Sequence, residues 1–224
     1  MIPIKDNIPA RQLPIVNYSL ITINILVFIY ELTLSRDELE LFFHSFGLLP
    51  LDIVHLNWQN LITSMFIHGG FAHLFGNMLF LYVLGDNVED ALGKVRYLVL
   101  YIGSGLGAAL LQSFVNIWTG NLTTPMIGAS GAISGILAAY VKLYPHAKIL
   151  TIIPPFIFFT FILPAWFFVG YWFFIQVMYA LLTPPGVGGV AWYAHIGGFI
   201  TGWFLVNILY PIKNPKLVYY SSLR

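Results

Sequence analysis

Over residues 97–141, and again over 149–212, the chain carries no Asp, Glu, Lys or Arg. A helix crosses a bilayer with about 20 mostly apolar residues, so each tract is long enough for more than one crossing. A water-soluble globule cannot be built around such tracts. With 58% of its 224 residues hydrophobic and 8% charged, the chain has too little charge to keep a surface of that size wet. Soluble enzymes are thereby excluded. The formal net charge of +1 gives no basic excess for nucleic acid, and the absence of Cys removes disulfides, thiol nucleophiles and Cys-ligated metals.

Hydrophobic patterning predicts an all-α membrane protein with six spans, at residues 16–34, 72–85, 95–118, 130–144, 165–183 and 192–210. The first follows Lys5 and Arg11 as a signal peptide would, but it is too long for an h-region and no A-x-A site follows it. It is read as an uncleaved anchor. The loops then place Lys5, Arg11, Lys94, Arg96, Lys142, Lys148, Lys213, Lys216 and Arg224 on one side and Arg36 on the other. By the positive-inside rule both ends lie in the cytoplasm, and the loop bearing Glu31, Asp37, Glu38, Glu40 and Asp52 lies outside. The expected organisation is a cytoplasmic segment 1–15, a six-span core 16–210 and a cytoplasmic tail 211–224, set in the cell (plasma or inner) membrane. Residues 149–164 are also apolar, but Pro154, Pro155 and Pro164 would free backbone groups that lipid cannot satisfy. An even number of crossings must separate Lys148 from Lys213, so this segment is expected to be strand-like or irregular and packed against protein on the cytoplasmic side.

Polar groups inside spans are costly and therefore point to function. Here they are His68, His73 and Asn77, the GASG of residues 128–131, and His195. The topology brings all of them to the outer half of the membrane. The fourth span gives only about 22 Å of helix at 1.5 Å per residue, against a core of roughly 30 Å, so Ser130 sits below the outer surface. Gly131 and Gly135 lie four apart on that span, as do Gly198 and Gly202 on the sixth, with Gly198 three residues after His195. Small residues at this spacing let helix backbones approach closely. Two such faces in contact would bring the Ser130 hydroxyl within reach of the His195 imidazole, the arrangement of an activated nucleophile. His73 and Asn77, at i and i+4, project two donors from one face, as an oxyanion requires.

The GASG with Ser130, the H-x-x-x-N of His73 and Asn77 with His68 five residues earlier, and A-H-x-x-G-x-x-x-G from Ala194 together resemble the rhomboid family of intramembrane serine proteases. The likeness covers the six-span core. It implies Ser130 as nucleophile, His195 as general base, and an oxyanion hole from His73, Asn77 and the Ser130 backbone N–H, with Gly128, Gly131, Gly198 and Gly202 in support. It also implies transmembrane proteins as substrates and no cofactor. Two positions depart from the family pattern. Ser134 stands where many members have an aromatic residue supporting the histidine ring, and Trp58-Gln59 stands where a Trp-Arg pair is usual.

Asp86, Glu89 and Asp90 fall on the cytoplasmic side, so no acid completes a triad and a Ser/His dyad remains. His68 is read as a loop anchor, and His44, His55 and His146 as surface residues. No H-E-x-x-H and no carboxylate within the core of the spans offers a zinc site, so no metal is expected. The alternatives to a protease are a catalytically inactive relative that binds transmembrane helices, and a transporter or channel. The latter is disfavoured because no repeat relates the two halves and the polar residues gather near one face. The fifth span, with Trp166, Phe167, Phe168, Tyr171, Trp172, Phe173 and Phe174 and only Gly170 for close approach, is the expected lateral gate, and residues 184–190 the expected cap.

Overall fold

The computed structural model describes residues 1–183 and 189–210. The chain is mostly helical. Helices α1 (Ile15–Glu31), α4 (Phe71–Phe80), α6 (Lys94–Thr119), α7 (Ser130–Leu143), α8 (Ala165–Leu182) and α9 (Trp192–Leu209) fall at the six expected places. Among the described residues, α6 and α8 are each long and apolar enough to cross a membrane. The pair 58–66 and 71–92 passes the same test only when taken together, across a bend of 91°. The tail 211–224 and the glycines at 186 and 188 of the expected cap lie outside the described residues.

The second helix runs farther than its apolar stretch. A π turn at Leu81–Gly85 carries α4 into α5 (Asp86–Leu92), where Gly93 at φ 78° ends it. The loop between α1 and α4 is itself helical, with α2 at Arg36–Phe46 and α3 at Trp58–Thr63. The start of α2 is written in the sequence as a capping box: Glu38 N–H bonds the Ser35 hydroxyl, and the Glu38 carboxylate accepts from Ser35 N–H at 2.9 Å. Asp52 ties the rest of that loop, accepting from Leu49 N–H at 2.8 Å and from the amides of Asn57 and Asn60.

A three-stranded antiparallel sheet adds to the helices, in the order β1 (Ile2–Asp6), β2 (Lys148–Ile153) and β3 (Phe156–Pro164). Residues 149–164 are therefore the strand-like piece anticipated. Only β2 is packed as expected, with Ile149 and Thr151 buried, whereas Phe158 in β3 is 91% exposed and Phe159 63%. Strand β1 carries no apolar signal of its own; its partner exists only in the folded chain. Polar groups stitch this end of the bundle together. The buried Glu89 carboxylate accepts from Val16 N–H and Asn17 N–H at the start of α1, where helix-end donors have no other partner. Asp6 accepts from the Tyr140 hydroxyl at the foot of α7.

Burial pushes the Asp6 carboxyl up to about 6 from an ordinary 3.8, although the Tyr140 bond works the other way. A carboxyl raised in the fold favours the folded state most below its unfolded value, and that contribution is lost as pH rises through about 6. Asp6→Asn, which stays neutral, is expected to reduce the fall in thermal midpoint between pH 4.5 and pH 7.5. Asp86, also pushed to about 6 chiefly by burial, retains part of the slope. An unchanged slope in Asp6→Asn would place the burial cost elsewhere.

Helices α6, α7 and α9 form the tightest part of the bundle, and the reason is glycine. A Cβ at Gly198 would fall on the carbonyl of Gly131, one at Gly202 on the backbone of Gly135, and one at Gly107 on the Thr201 side chain. The α7 and α9 backbones thus touch directly. Around them pack Tyr97, Tyr101, Ile136, Leu137, Tyr140 and Phe168, all fully buried. Helix α8 lacks such contacts. A Cβ at Gly170 would meet nothing within 4 Å, so this glycine faces outward and is not a point of close approach. Trp166, Phe167, Tyr171 and Phe174 are exposed, while Ala165, Phe168, Val169, Gln176 and Ala180 are buried.

Candidate active site

The glycine contact between α7 and α9 sets the distance between their side chains. Ser130 opens α7, and His195 lies in the first turn of α9 beside Gly198. Their side chains meet, with the Ser130 hydroxyl oxygen 2.8 Å from His195 Nε2. Gly128 turns the chain into α7 with φ +114°, a conformation open to glycine but strained for other residues. A Cβ there would also lie 2.6 Å from His73 Nε2.

His73 and Asn77 both project from α4 toward this turn. Asn77 Nδ2 lies 2.9 Å from His68 Nε2 and 3.8 Å from where a Cβ at Gly128 would stand. An amide nitrogen carries two hydrogens, so one held by His68 leaves the second for the cavity. His68 itself is 1% exposed and anchored through its backbone N–H, which donates to the Glu31 carboxylate at 3.0 Å. Its ring also packs edge-on against His73, with centroids 5.0 Å apart. The expected loop anchor therefore has a second contact: it orients Asn77. His44, His55 and His146 are exposed.

Ser134, at the position where an aromatic residue was missing, donates to the Ser130 carbonyl at 2.6 Å and does not reach the histidine. The ring is held from α8 and from its own helix instead. Trp172 lies 5.8 Å from it and Trp192 6.0 Å, centroid to centroid. Gln176 Oε1 is 2.7 Å from His195 Nδ1, and Gln176 Nε2 donates to the Trp172 carbonyl at 3.0 Å. Sequence reasoning missed Gln176. The available signal was an uncharged polar residue alone in a long aromatic helix, but its target was invisible without the pairing of α8 and α9. Gln112 on α6 adds a further tie, accepting from Ala194 N–H at 3.1 Å and donating to Asn116.

A cavity of about 670 Å³ opens over these groups, reached by Ser130, His195, His73, Asn77, Phe80 and Trp172. Between α4 and α8 its wall is aromatic: Phe80 stands 6.0 Å from Phe168 and 6.5 Å from Trp172. Among the described residues no group of His, Asp and Glu is arranged to hold a metal ion. A hydroxyl bonded to an imidazole, beside an amide, a second imidazole and a backbone turn, can attack a carbonyl and stabilise the charge that forms.

A family model for the rhomboid domain matches residues 55–212. The chain is 34% identical to Rhomboid protease AarA of Providencia stuartii over 137 residues, 55% of this chain and 48% of that protein. It is 33% identical to Rhomboid protein 1, mitochondrial, of Saccharomyces cerevisiae over 144 residues, 62% of this chain and 39% of that protein. With RHOMBOID-like protein 1 of Arabidopsis thaliana the identity is 30% over 177 residues, 75% of this chain and 38% of the other. The chain thus spans about half or less of the length of these relatives.

Proposed function

The chain belongs to the rhomboid family, and from that membership we propose that it is an intramembrane serine endopeptidase that cleaves transmembrane proteins with a Ser130/His195 dyad. The observation that carries the reading is the 2.8 Å contact between Ser130 Oγ and His195 Nε2 inside a cavity that also holds His73 and Asn77. His195 Nε2 takes the proton as Ser130 Oγ adds to the scissile carbonyl, and the oxyanion is met by Ser130 N–H, Asn77 Nδ2 and His73 Nε2. The imidazolium then gives that proton to the leaving amine. Water, activated by the same imidazole, releases the acyl group and restores the hydroxyl.

Six spans with both termini in the cytoplasm, in the cell membrane, complete the proposal; nine basic residues against one in the loops support it. A fluorophosphonate probe tests the reading. Labelling of the wild type and none of Ser130→Ala supports the dyad, whereas an unlabelled wild type favours a relative that binds transmembrane helices without cutting them.

The oxyanion donors make a graded prediction. Asn77→Ala and His73→Ala are each expected to lower kcat by about a hundredfold or more, the usual cost of one such donor. Because His68 holds Asn77 at 2.9 Å, His68→Ala is expected to lower kcat in the same direction by a smaller factor. Wild-type turnover in Asn77→Ala and His73→Ala would place the hole elsewhere.

A helical substrate must enter sideways, and the aromatic seam between α4 and α8 is the proposed entry. Trp172 is a poor probe of it, since its ring also packs on His195. Phe80→Ala is expected to speed cleavage of a transmembrane substrate several-fold while leaving a short soluble peptide nearly unaffected. Equal effects on both would move the gate away from this seam.

A further inference from the structure

The His195 ring meets two partners of opposite demand. Ser130 must donate its hydroxyl hydrogen to Nε2, so Nε2 must be bare and the ring proton must sit on Nδ1. Nothing within an imidazole fixes that choice; the partner of Nδ1 does. That partner is Gln176 Oε1 at 2.7 Å. The orientation of the amide is in turn dictated by its other end, because Gln176 Nε2 faces the Trp172 carbonyl at 3.0 Å. A flipped amide would set oxygen against that carbonyl, two acceptors together. A chain of three bonds therefore runs from the Trp172 carbonyl through Gln176 and His195 to Ser130, and each bond has one direction.

We propose that Gln176 is a positioning residue that holds His195 as the Nδ1–H tautomer, doing with a neutral amide what a carboxylate does in a Ser-His-Asp triad. The proposal rests on the dyad reading for its effect on rate, though not for its effect on the ring. Gln176 is 5% exposed and stands on α8, whose one glycine, Gly170, approaches no neighbouring helix. An outward shift of α8 carries the amide oxygen away from Nδ1, so the base is oriented only while α8 is seated.

The experiment uses the full chain, labelled with ¹⁵N-histidine, with the His195 signals identified by their loss in His195→Ala. Wild type is expected to show a protonated Nδ1 and a bare Nε2. Gln176→Met, of similar length without the amide oxygen, is expected to lose that pattern. Its kcat should fall roughly ten- to hundredfold, by analogy with removing the outer hydrogen-bond partner of a metal-bound histidine, with KM within about twofold. Gln176→Glu, which as the carboxylic acid keeps an oxygen for Nδ1 and a hydrogen for the Trp172 carbonyl, should recover the tautomer and most of kcat. If Gln176→Met does not fold, Gln176→Asn keeps a buried amide but withdraws its oxygen, and the same losses are expected. A His195 pattern unchanged in both Met and Asn variants, or a loss of rate that Glu does not restore, overturns the proposal. A wild type that the fluorophosphonate probe leaves unmodified, but whose His195 pattern still follows residue 176, would defeat the dyad and leave the positioning role standing.

Discussion

Ser130→Ala and His195→Ala are each expected to reduce proteolysis below detection, and the double variant is expected to be no worse than either. A nucleophile and its base act as one unit, so losing either removes what both supply, a loss on the order of 10⁶-fold in soluble serine proteases. Neither change should unfold the protein. The Ser130 side chain bonds only His195 among the described contacts, at the floor of an open cavity, so the deleted hydroxyl leaves room for water. His195→Ala frees the Ser130 hydroxyl at that cavity and leaves the Gln176 amide oxygen facing the space the ring vacates. The measurement is cleavage of a transmembrane substrate by purified variants, with thermal midpoints as the control for folding. Substantial cleavage by Ser130→Ala would end the serine-protease reading.

Gly198→Val is expected to produce the largest effect of any change that touches neither the hydroxyl nor the imidazole. The added carbons would fall on the Gly131 carbonyl, and a backbone cannot swing aside as a flexible side chain does. Helix α9 must then move off α7, taking His195 with it. Overpacking of this kind costs about 1–3 kcal/mol, and a displacement of about 1 Å at a reacting pair costs about a hundredfold in rate. Gly170→Ala is the matched control: nothing lies within 4 Å of its added carbon, and a helix gains about 1 kcal/mol from Gly to Ala. Turnover of a short peptide and the thermal midpoint distinguish the two. A Gly198→Val protein with wild-type turnover would show that the α7–α9 contact does not set the dyad distance.

The positions of the six apolar helices were legible because lipid demands long uncharged runs, and such runs stand out in any sequence. The meeting of Ser130 with His195 was legible for a different reason: Gly131, Gly135, Gly198 and Gly202 mark where two backbones can touch, so a local pattern reported a tertiary contact. The capping box at Ser35 and Glu38 was equally local and would have revealed α2. Strand β1 and the role of Gln176 were not legible. The register of β1 on β2 and the bond from α8 to His195 both join segments far apart in the chain, and no spacing within either segment encodes them. Gly170 misled because a lone glycine in an aromatic helix signals close approach only if a neighbour is there to approach.

The proposed dyad also carries a clock. Ser130 and His195 are separated by 65 positions, and the imidazole belongs to α9, the last of the described helices. At a synthesis rate of about 5–20 residues per second, the hydroxyl exists for about 3–13 s before its base has even been made. During that interval α4, α6 and α7 can already be in the membrane, yet the serine is no more reactive than any other alcohol. On the dyad reading the protein is thus inert until α9 docks on α7, and that docking is the moment at which a nucleophile is activated in the bilayer.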